Sequence, residues 1–132
     1  YKNKNIPFKN NYFDRIIISH VLEHIPDPEF YLDEMFKKLK KNGIMSIALP
    51  SDPALLWRIG RFFLKIFKVK KKLKISKIEY DYMIATEHIN SIFNLLSIIR
   101  FKYKKNIINE QYLPFKIKLL DLNLFYNVTI KK

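Results

Sequence analysis

The hydrophobic positions of the first 50 residues predict a strand, a helix and a second strand. Residues 14–22 contain three successive β-branched side chains, Ile16–Ile18, and such a continuous apolar run is typical of a strand buried on both faces. Apolar residues then recur at the spacing of one helical face, at Leu32, Met35, Phe36 and Leu39. Residues 44–49 predict the second strand, which Pro50 closes. This order of elements predicts a parallel βαβ unit over residues 14–50.

Both ends of the predicted helix carry capping signals. Asp27 is a suitable N-cap, Pro28 suits the first helical position, and Glu29 falls in the first turn. Four lysines suit the negatively polarised end of the helix: Lys37, Lys38, Lys40 and Lys41. The pair Asn42-Gly43 predicts the point at which the helix stops.

A second helix is predicted over residues 53–72, and its two sides differ. One side gathers six apolar residues, Leu55, Ile59, Phe62, Phe63, Ile66 and Phe67. The other carries a narrow basic stripe, Arg58, Arg61, Lys65 and Lys68. Trp57 and Leu64 flank the stripe, and residues 70–77 are basic and predict a loop. Residues 53–77 therefore form a basic amphipathic insertion.

The last third of the chain predicts one helix and two strands. The helix covers about residues 89–100, and either Asn90 or Ser91 suits its N-cap. Its apolar face consists of Ile92, Leu95, Leu96 and Ile99. The strands are expected at about residues 102–108 and 122–130, with a turn-rich connection between them.

Composition narrows the possible classes of protein. The chain has 132 residues, 48% of them hydrophobic, which suits a single domain with one modest core and excludes intrinsic disorder. It has no cysteine, so disulfides and thiolate zinc sites are excluded and a cytoplasmic location is expected. Its two glycines, Gly43 and Gly60, stand apart, so the sequence contains neither a G-x-G-x-x-G turn nor a P-loop.

The formal net charge of +13 raises the question of nucleic-acid binding. Of the 25 basic residues only four are arginine, the better bidentate ligand of phosphates and guanines: Arg15, Arg58, Arg61 and Arg100. The chain is also rich in isoleucine and asparagine, which together with lysine indicates a general compositional bias. We therefore interpret the basic residues mainly as a solvated surface and do not expect nucleic acid as a partner.

Two short segments hold most of the candidate chemistry. In an open parallel sheet, ligands bind beyond the carboxyl ends of the strands. After the first predicted strand comes the run from Ser19 to His24, and after the second comes Pro50-Ser51-Asp52. Two of the three histidines, two acidic side chains and two serines fall in these segments, so we expect the functional site there.

The residues His20, Glu23 and His24 spell H-x-x-E-H, the pattern of a class of zinc peptidases. That chemistry requires both imidazoles on one face of a helix, and a third ligand from elsewhere. Here the motif follows a strand and meets Pro26 and Pro28 almost at once, which leaves little room for a helix. The zinc peptidase is kept only as a remote alternative.

A more extensive match lies in the order of several short pieces. They are Ile6-Pro7-Phe8, Phe13-Asp14, the run LEHIPDP from Leu22 to Pro28, the segment from Leu39 to Gly43, and Leu49-Pro50. With these pieces the chain resembles the class I S-adenosylmethionine-dependent methyltransferases, in particular the small-molecule branch of types 11, 12 and 23. The segment Glu87-His88-Ile89-Asn90 resembles the opening of a late helix in the same family. The resemblance is good over residues 6–101 and loose beyond.

The resemblance implies roles for the residues at the strand ends. The two predicted strands correspond to the fourth and fifth of the family, so Ser19 and His20 would face the methionine part of the cofactor. His20, Glu23 and His24 are the candidate catalytic residues. In related quinone O-methyltransferases this turn can hold a divalent metal, but His20 stands where an acid is expected, so no metal is predicted. Six residues are candidates for the substrate pocket and its lid: Pro50, Ser51, Asp52, Trp57, Arg58 and Arg61.

Alternatives remain for several of these residues. Glu23 and His24 could equally form a turn and capping network before the helix at Pro28. His88 is interpreted as a satisfied histidine at the start of a helix. The helix over residues 53–72 is interpreted as a lid packed over the substrate pocket with its basic stripe in water, the alternative being a helix that lies on an anionic membrane surface.

The fold class expected from the resemblance is α/β, a partial Rossmann-like methyltransferase fold. Its sheet is mostly parallel and ends in an antiparallel pair within residues 87–132. The family's glycine-rich turn and ribose-binding acid would precede Tyr1, so residues 1–132 are expected to be the C-terminal portion of one methyltransferase domain. We expect methyl transfer from S-adenosylmethionine to a small-molecule or lipid-like acceptor, incomplete in this chain. A free sheet edge would allow self-association or a partner chain.

Overall fold

The computed structural model describes residues 6–66 and 76–132. The strands and helices in chain order are β1 (Phe13–Ser19), α1 (Pro28–Lys38), β2 (Leu39–Pro50), α2 (Leu55–Ile66), α3 (Lys77–Glu87), α4 (Ile92–Tyr103), β3 (Ile107–Leu113) and β4 (Phe125–Lys131). A single 3₁₀ turn, Leu120–Leu122, precedes β4. In this described part of the chain, no helix is both long and apolar enough to cross a bilayer.

The strands form one mixed sheet in the order β1-β2-β4-β3. β1 and β2 are parallel and are joined through α1, which confirms the predicted βαβ unit. β4 runs antiparallel to both of its neighbours, β2 and β3, and this confirms the predicted antiparallel pair at the end of the sheet. The α/β architecture expected from the resemblance is therefore correct.

The strand register separates the two faces of the sheet. Ile18, Ile47 and Val128 are register partners on one face, and all three are buried. Ile17, Ser46 and Thr129 are register partners on the other face. Because side chains alternate along a strand, the core lies against only the first of these faces. The prediction that β1 is buried on both faces is wrong, since Ile17 is 70% exposed.

The helices α1 and α4 cover the core face and are joined by a polar network as well. Leu32 on α1 and Ile99 on α4 are fully buried in the common core. At the edge of this contact, Asp33 accepts hydrogen bonds from Lys102 Nζ (2.6 Å) and Tyr103 Oη (2.7 Å). Burial alone would raise the pKa of Asp33, but these two hydrogen bonds outweigh it and hold the pKa below its usual value.

A second network ties α4 to the terminal strands. Glu110 on β3 accepts hydrogen bonds from Arg100 on α4 (2.9 Å) and from the buried Tyr126 on β4. Burial would raise the pKa of Glu110, but the bonds from Tyr126 and Arg100 prevail and lower it. The same surroundings, burial first, raise the pKa of Tyr126, which therefore stays a hydrogen-bond donor.

The start of α1 agrees with the prediction, but its end does not. The caps of α1 are confirmed, since Asp27 Oδ1 accepts from Phe30 N at 3.2 Å. The predicted stop at Asn42-Gly43 is wrong, because Leu39 is already extended and pairs with Phe13, and the pairing resumes between Arg15 and Ile44. Residues 40–43 are thus an irregular segment of β2, where the register with β1 shifts.

Glycine is required at position 43, in the irregular segment of β2, because a side chain would not fit there. Asn42 adopts a left-handed conformation with φ of 65°. A Cβ atom on Gly43 would lie 2.9 Å from the backbone oxygen of Lys40, which is closer than side chains tolerate. Glycine therefore serves close packing at this position.

The C-terminal half also departs from its predicted boundaries. The helix predicted at about residues 89–100 is α4, which ends at Tyr103, and its N-cap is Ser91, whose Oγ accepts from Asn94 N at 3.2 Å. The strand predicted at about residues 102–108 begins only at Ile107, because Lys102 and Tyr103 extend the helix by bonding to Asp33.

Within the described part of the predicted insertion, residues 53–77, lies α2, and α3 begins at the last residue of the insertion. Of the helix predicted over residues 53–72, α2 covers Leu55–Ile66, and residues 67–75 lie outside the described part. The helix α3 has no counterpart among the predictions. Ser76 and Glu79 form a reciprocal capping box at its start, with Glu79 Oε2 accepting from Ser76 N at 2.6 Å and Ser76 Oγ accepting from Glu79 N at 3.2 Å.

Candidate functional site

The site begins at the carboxyl end of β1, where the chain makes a sharp turn. Ser19 ends the strand, and His20 has a left-handed backbone conformation with φ of 52°. The His20 amide donates to the oxygen of Ala48 on β2 at 3.1 Å, so the turn starts beside the carboxyl end of the neighbouring strand. Non-glycine residues adopt this conformation rarely, and such positions concentrate at functional sites.

Glu23 lies in the turn between two histidines. It is only 2% exposed, and its Oε1 lies 3.5 Å from His20 Nδ1 and 3.8 Å from His24 Nε2. Its second oxygen, Oε2, is buried and has no hydrogen-bond partner among the described residues. His24 Nδ1 lies 2.7 Å from the backbone oxygen of Glu87, an atom that only accepts, so this nitrogen carries the hydrogen. In a neutral ring, His24 Nε2 would then present its lone pair beside Glu23.

A second buried carboxylate lies beyond the end of β2. Asp52 is 7% exposed, and its Oδ2 receives the guanidinium of Arg61 and lies 2.8 Å from His88 Nδ1. Because the carboxylate accepts, His88 Nδ1 is the donor, and in the neutral ring Nε2 keeps its lone pair. Within residues 6–66 and 76–132, Asp52 Oδ1 and the hydroxyl of the fully buried Ser51 have no hydrogen-bond partner.

The segment before α4 joins these two carboxylates into one site. The rings of His24 and His88 meet edge to face with centroids 4.9 Å apart. Asn90 donates its side-chain amide to the oxygens of Leu22 (2.9 Å) and Ile25 (2.7 Å), and so fixes the turn that carries Glu23. Three histidines and two buried carboxylates therefore meet where β1 and β2 end.

The helix α2 contributes one of its sides to the site. Trp57 Nε1 donates to the oxygen of Leu124 at 2.6 Å, and the Arg61 guanidinium lies 5.9 Å from the Trp57 ring centroid. Arg61 reaches Asp52, whereas Arg58 is exposed. The predicted lid with its basic stripe in water is therefore wrong for Arg61, because the buried charge of Asp52 holds that side chain against the protein. The predicted stripe residue Lys68 lies outside the described part.

The structure brings together most of the predicted site residues and adds one. The residues that meet are His20, Glu23, His24, Asp52 and Arg61. Ser19, Pro50 and Ser51 border them at the strand ends, and Trp57 lies behind Arg61. His88 is satisfied, as interpreted from the sequence, but its partner is the buried Asp52, 36 residues away. In the sequence, the only pointer to His88 is the segment Glu87-His88-Ile89-Asn90, which resembles the opening of a late helix in the methyltransferases.

The geometry does not support a zinc peptidase. Residues 21–24 form a turn, so His20 and His24 do not share a helix face. Among the described residues, no group of three or more histidines and acids is arranged to hold a metal ion.

The residues present suit one end of S-adenosylmethionine, the cofactor implied by the resemblance. Glu23 Oε2 is a buried acceptor without a partner, and an oxygen of this kind favours a neighbouring positive charge. The cationic end of the cofactor would satisfy it, with Ser19 and His20 at the strand end beside it. The sequence has no glycine-rich turn to hold the adenosine end.

Comparisons with known proteins agree with this fold. Residues 2–47 match the family model of a methyltransferase domain. A SAM-dependent methyltransferase from Thermotoga maritima, described as a possible histamine N-methyltransferase, superposes over 97% of this chain and 60% of its own, with a TM-score of 0.56 and 19% identity. A SAM-dependent methyltransferase from Archaeoglobus fulgidus superposes over 95% of this chain and 62% of its own, with a TM-score of 0.57 and 16% identity. No curated protein sequence matches significantly.

The fold is shared with a protein described by a different function as well. The [4+2]-cyclase SpnF superposes over 97% of this chain and 52% of its own, with a TM-score of 0.56 and 11% identity. The chain thus spans about three fifths of the length of the two methyltransferases and about half that of the cyclase. The family model covers about a third of the chain, residues 2–47, and the solved structures show that the chain has a methyltransferase-like α/β fold.

Proposed function

We propose that this chain provides the acceptor side of an S-adenosylmethionine-dependent methyltransferase that acts on a small-molecule or lipid-like acceptor. The observation that carries the proposal is the hydrogen bond between the buried Asp52 and His88 at the carboxyl ends of the parallel strands. A carboxylate that binds one imidazole nitrogen orients the other nitrogen as a general base. When bound, the cofactor supplies the methyl group on its sulfonium.

The other residues have supporting tasks in this proposal. His88 Nε2 takes the proton from the acceptor, and Asp52 stabilises the imidazolium that results. Arg61 contacts the same oxygen of Asp52 as His88 does, Oδ2, so the carboxylate keeps a cationic partner when His88 is neutral. His20 and His24, around Glu23, border the cofactor end and are the alternative bases.

The pair of His88 and Asp52 also favours methyl transfer over a cyclisation such as that named for SpnF. The shared fold does not by itself determine the reaction. An acceptor hydroxyl or amine becomes a better nucleophile when a positioned base removes its proton. His88 and Asp52 form such a base. The turn around Glu23 supplies oxygens that can bind the cationic end of the cofactor.

Cofactor binding can be tested by NMR titration of the chain with S-adenosylhomocysteine. We expect the amide resonances of Ser19, His20 and Glu23 to shift, and those of the distant strand β3 to stay unchanged. The same titration of His20→Gln should show smaller shifts. An absence of shifts in residues 19–23 at millimolar ligand would refute the proposed cofactor end of the site.

The base can be tested separately once an acceptor is found with a radiolabelled methyl-transfer screen of phenols, amines and lipid extracts. His88→Asn should lower kcat by about 10²–10⁴-fold while the NMR shifts caused by S-adenosylhomocysteine stay as in the parent chain. Asp52→Asn should lower kcat and alter its pH profile. An unchanged kcat in His88→Asn would move the role of base to His20 or His24.

A further inference from the structure

The helix α2 presents its apolar side away from the protein. Trp57 and Arg61 contact Leu124 and Asp52 on the inner side. Leu55, Ile59 and Phe62 lie on the opposite side, with spacings of four and three residues that place them on one helical face. We call these three residues the outer face of α2.

The outer face is accessible along its whole length. Its members are 48%, 40% and 59% exposed, in the order Leu55, Ile59 and Phe62. Together with Arg58 and Arg61 they line an open depression of about 490 Å³. A contiguous apolar surface with a charged border is typical of an interaction site.

The charge of the surrounding sequence indicates what covers this face. Between Asp52 and Glu79 the sequence contains nine lysines and arginines and no acidic residue. On α2 itself, Arg58 is exposed beside the apolar row. The net charge of the whole chain is +13, so most of the excess falls in this stretch of the sequence.

We propose that the outer face of α2 docks onto the surface of an anionic lipid bilayer. A helix with an apolar row beside basic residues lies in the membrane interface, because the row enters the boundary of the acyl chains while the cations meet acidic headgroups. A nucleic acid would use the basic side chains and leave the apolar row in water. This proposal goes beyond methyl transfer and holds whether or not the chain transfers a methyl group.

The docked orientation would leave the site intact. Trp57, Arg61 and Asp52 keep their mutual contacts on the inner side of α2 while the outer face enters the bilayer. A lipid-like acceptor could then reach the site from the membrane on which the protein lies.

Vesicle co-sedimentation of the full chain tests the proposal. We expect binding to vesicles of phosphatidylglycerol and phosphatidylcholine and much weaker binding to phosphatidylcholine alone. Because burial of one Phe side chain favours binding by roughly tenfold or more, the double variant Ile59→Ser/Phe62→Ser should bind the anionic vesicles at least about tenfold more weakly. Its net charge is unchanged.

Phe101→Ser is the matched control. Phe101 is 90% exposed on α4, outside the basic segment, so its removal should leave vesicle binding unchanged. Arg58→Gln should weaken binding to anionic vesicles only. Circular dichroism checks that each variant is folded.

Three results would overturn the proposal. Binding that is equal for the double variant and the parent chain would mean attraction by charge alone. Dimerisation in lipid-free solution that the double variant abolishes, without vesicle binding, would assign the face to a second copy of the chain. Tight binding of an oligonucleotide that Ile59→Ser/Phe62→Ser leaves unchanged, again without vesicle binding, would assign the basic segment to nucleic acid.

Discussion

The helices α2 and α4 carry similar apolar patterns but meet opposite surroundings. On α4 the apolar face is buried, with Leu95, Leu96 and Ile99 packed in the common core. On α2 the apolar face is exposed, and the side with Trp57 and Arg61 contacts the protein. An amphipathic pattern therefore predicts a helix and a face, but does not by itself indicate where that face points.

The reason for the difference lies in what each helix finds beside it. The apolar face of α4 packs in the same core as Met45, Ile47 and Val128 on the apolar side of the sheet. The neighbour of α2 is polar, since it includes the buried Asp52 carboxylate and the oxygen of Leu124. A buried carboxylate without a cation is costly, so the contact with Arg61 decides which side of α2 faces inward.

The largest expected effect contrasts the two apolar faces. Ile99→Ala should lower the free energy of unfolding by about 2–5 kcal/mol, since it opens a cavity in the core. Phe62→Ala should change it by about 0.5 kcal/mol or less, since that side chain is already largely in water. Urea denaturation followed by circular dichroism measures both. Equal losses would mean that the outer face of α2 is packed in solution.

A smaller effect contrasts the helix starts. α4 is capped locally by Ser91, whereas the first amide of α2, that of Leu55, donates to Asp121 at 3.0 Å across a separation of 66 residues. Ser91→Ala should lower the free energy of unfolding by about 1 kcal/mol. Asp121→Ala should instead speed amide hydrogen exchange at the start of α2 with little global loss. Global destabilisation by Asp121→Ala that matches Ser91→Ala would show that α2 unfolds together with the core.

The smallest expected effect is the acid response of the contacts around α4. The pKa values of Asp33 and Glu110 are lowered in the folded chain, so their contribution to stability is present above the unfolded pKa of about 4 and is lost as the pH falls below it. Each contribution is below about 1 kcal/mol, because these groups are partly exposed and screened. The midpoint of urea denaturation, measured at several pH values between pH 6 and pH 3, tests this loss of stability.

Asp33→Asn is the control for the acid response. It should flatten the decline between pH 5 and pH 3, since asparagine does not titrate there. A decline identical to that of the parent chain would mean that other carboxylates cause the acid sensitivity.

Much of the fold followed from local patterns. The βαβ unit, the cap at Asp27 and the antiparallel end of the sheet follow from periodicity, capping residues and the family resemblance. The extent of α4 could not be predicted, because Lys102 and Tyr103 stay helical through contacts with Asp33 on another helix. The helix α3 was missed, although Ser76 and Glu79 are a recognisable capping box.

The sequence by itself predicted the α/β fold class, which the structure has, and the two segments, after β1 and β2, where the candidate chemistry lies. Only the tertiary structure decided which histidine meets which carboxylate and which side of α2 is exposed. The physical reason is distance along the chain: His88 lies 36 residues from Asp52, and Trp57 lies 67 residues from Leu124. Contacts between residues so far apart in the sequence depend on how the sheet and the helices pack. The pattern of neighbouring residues does not predict them.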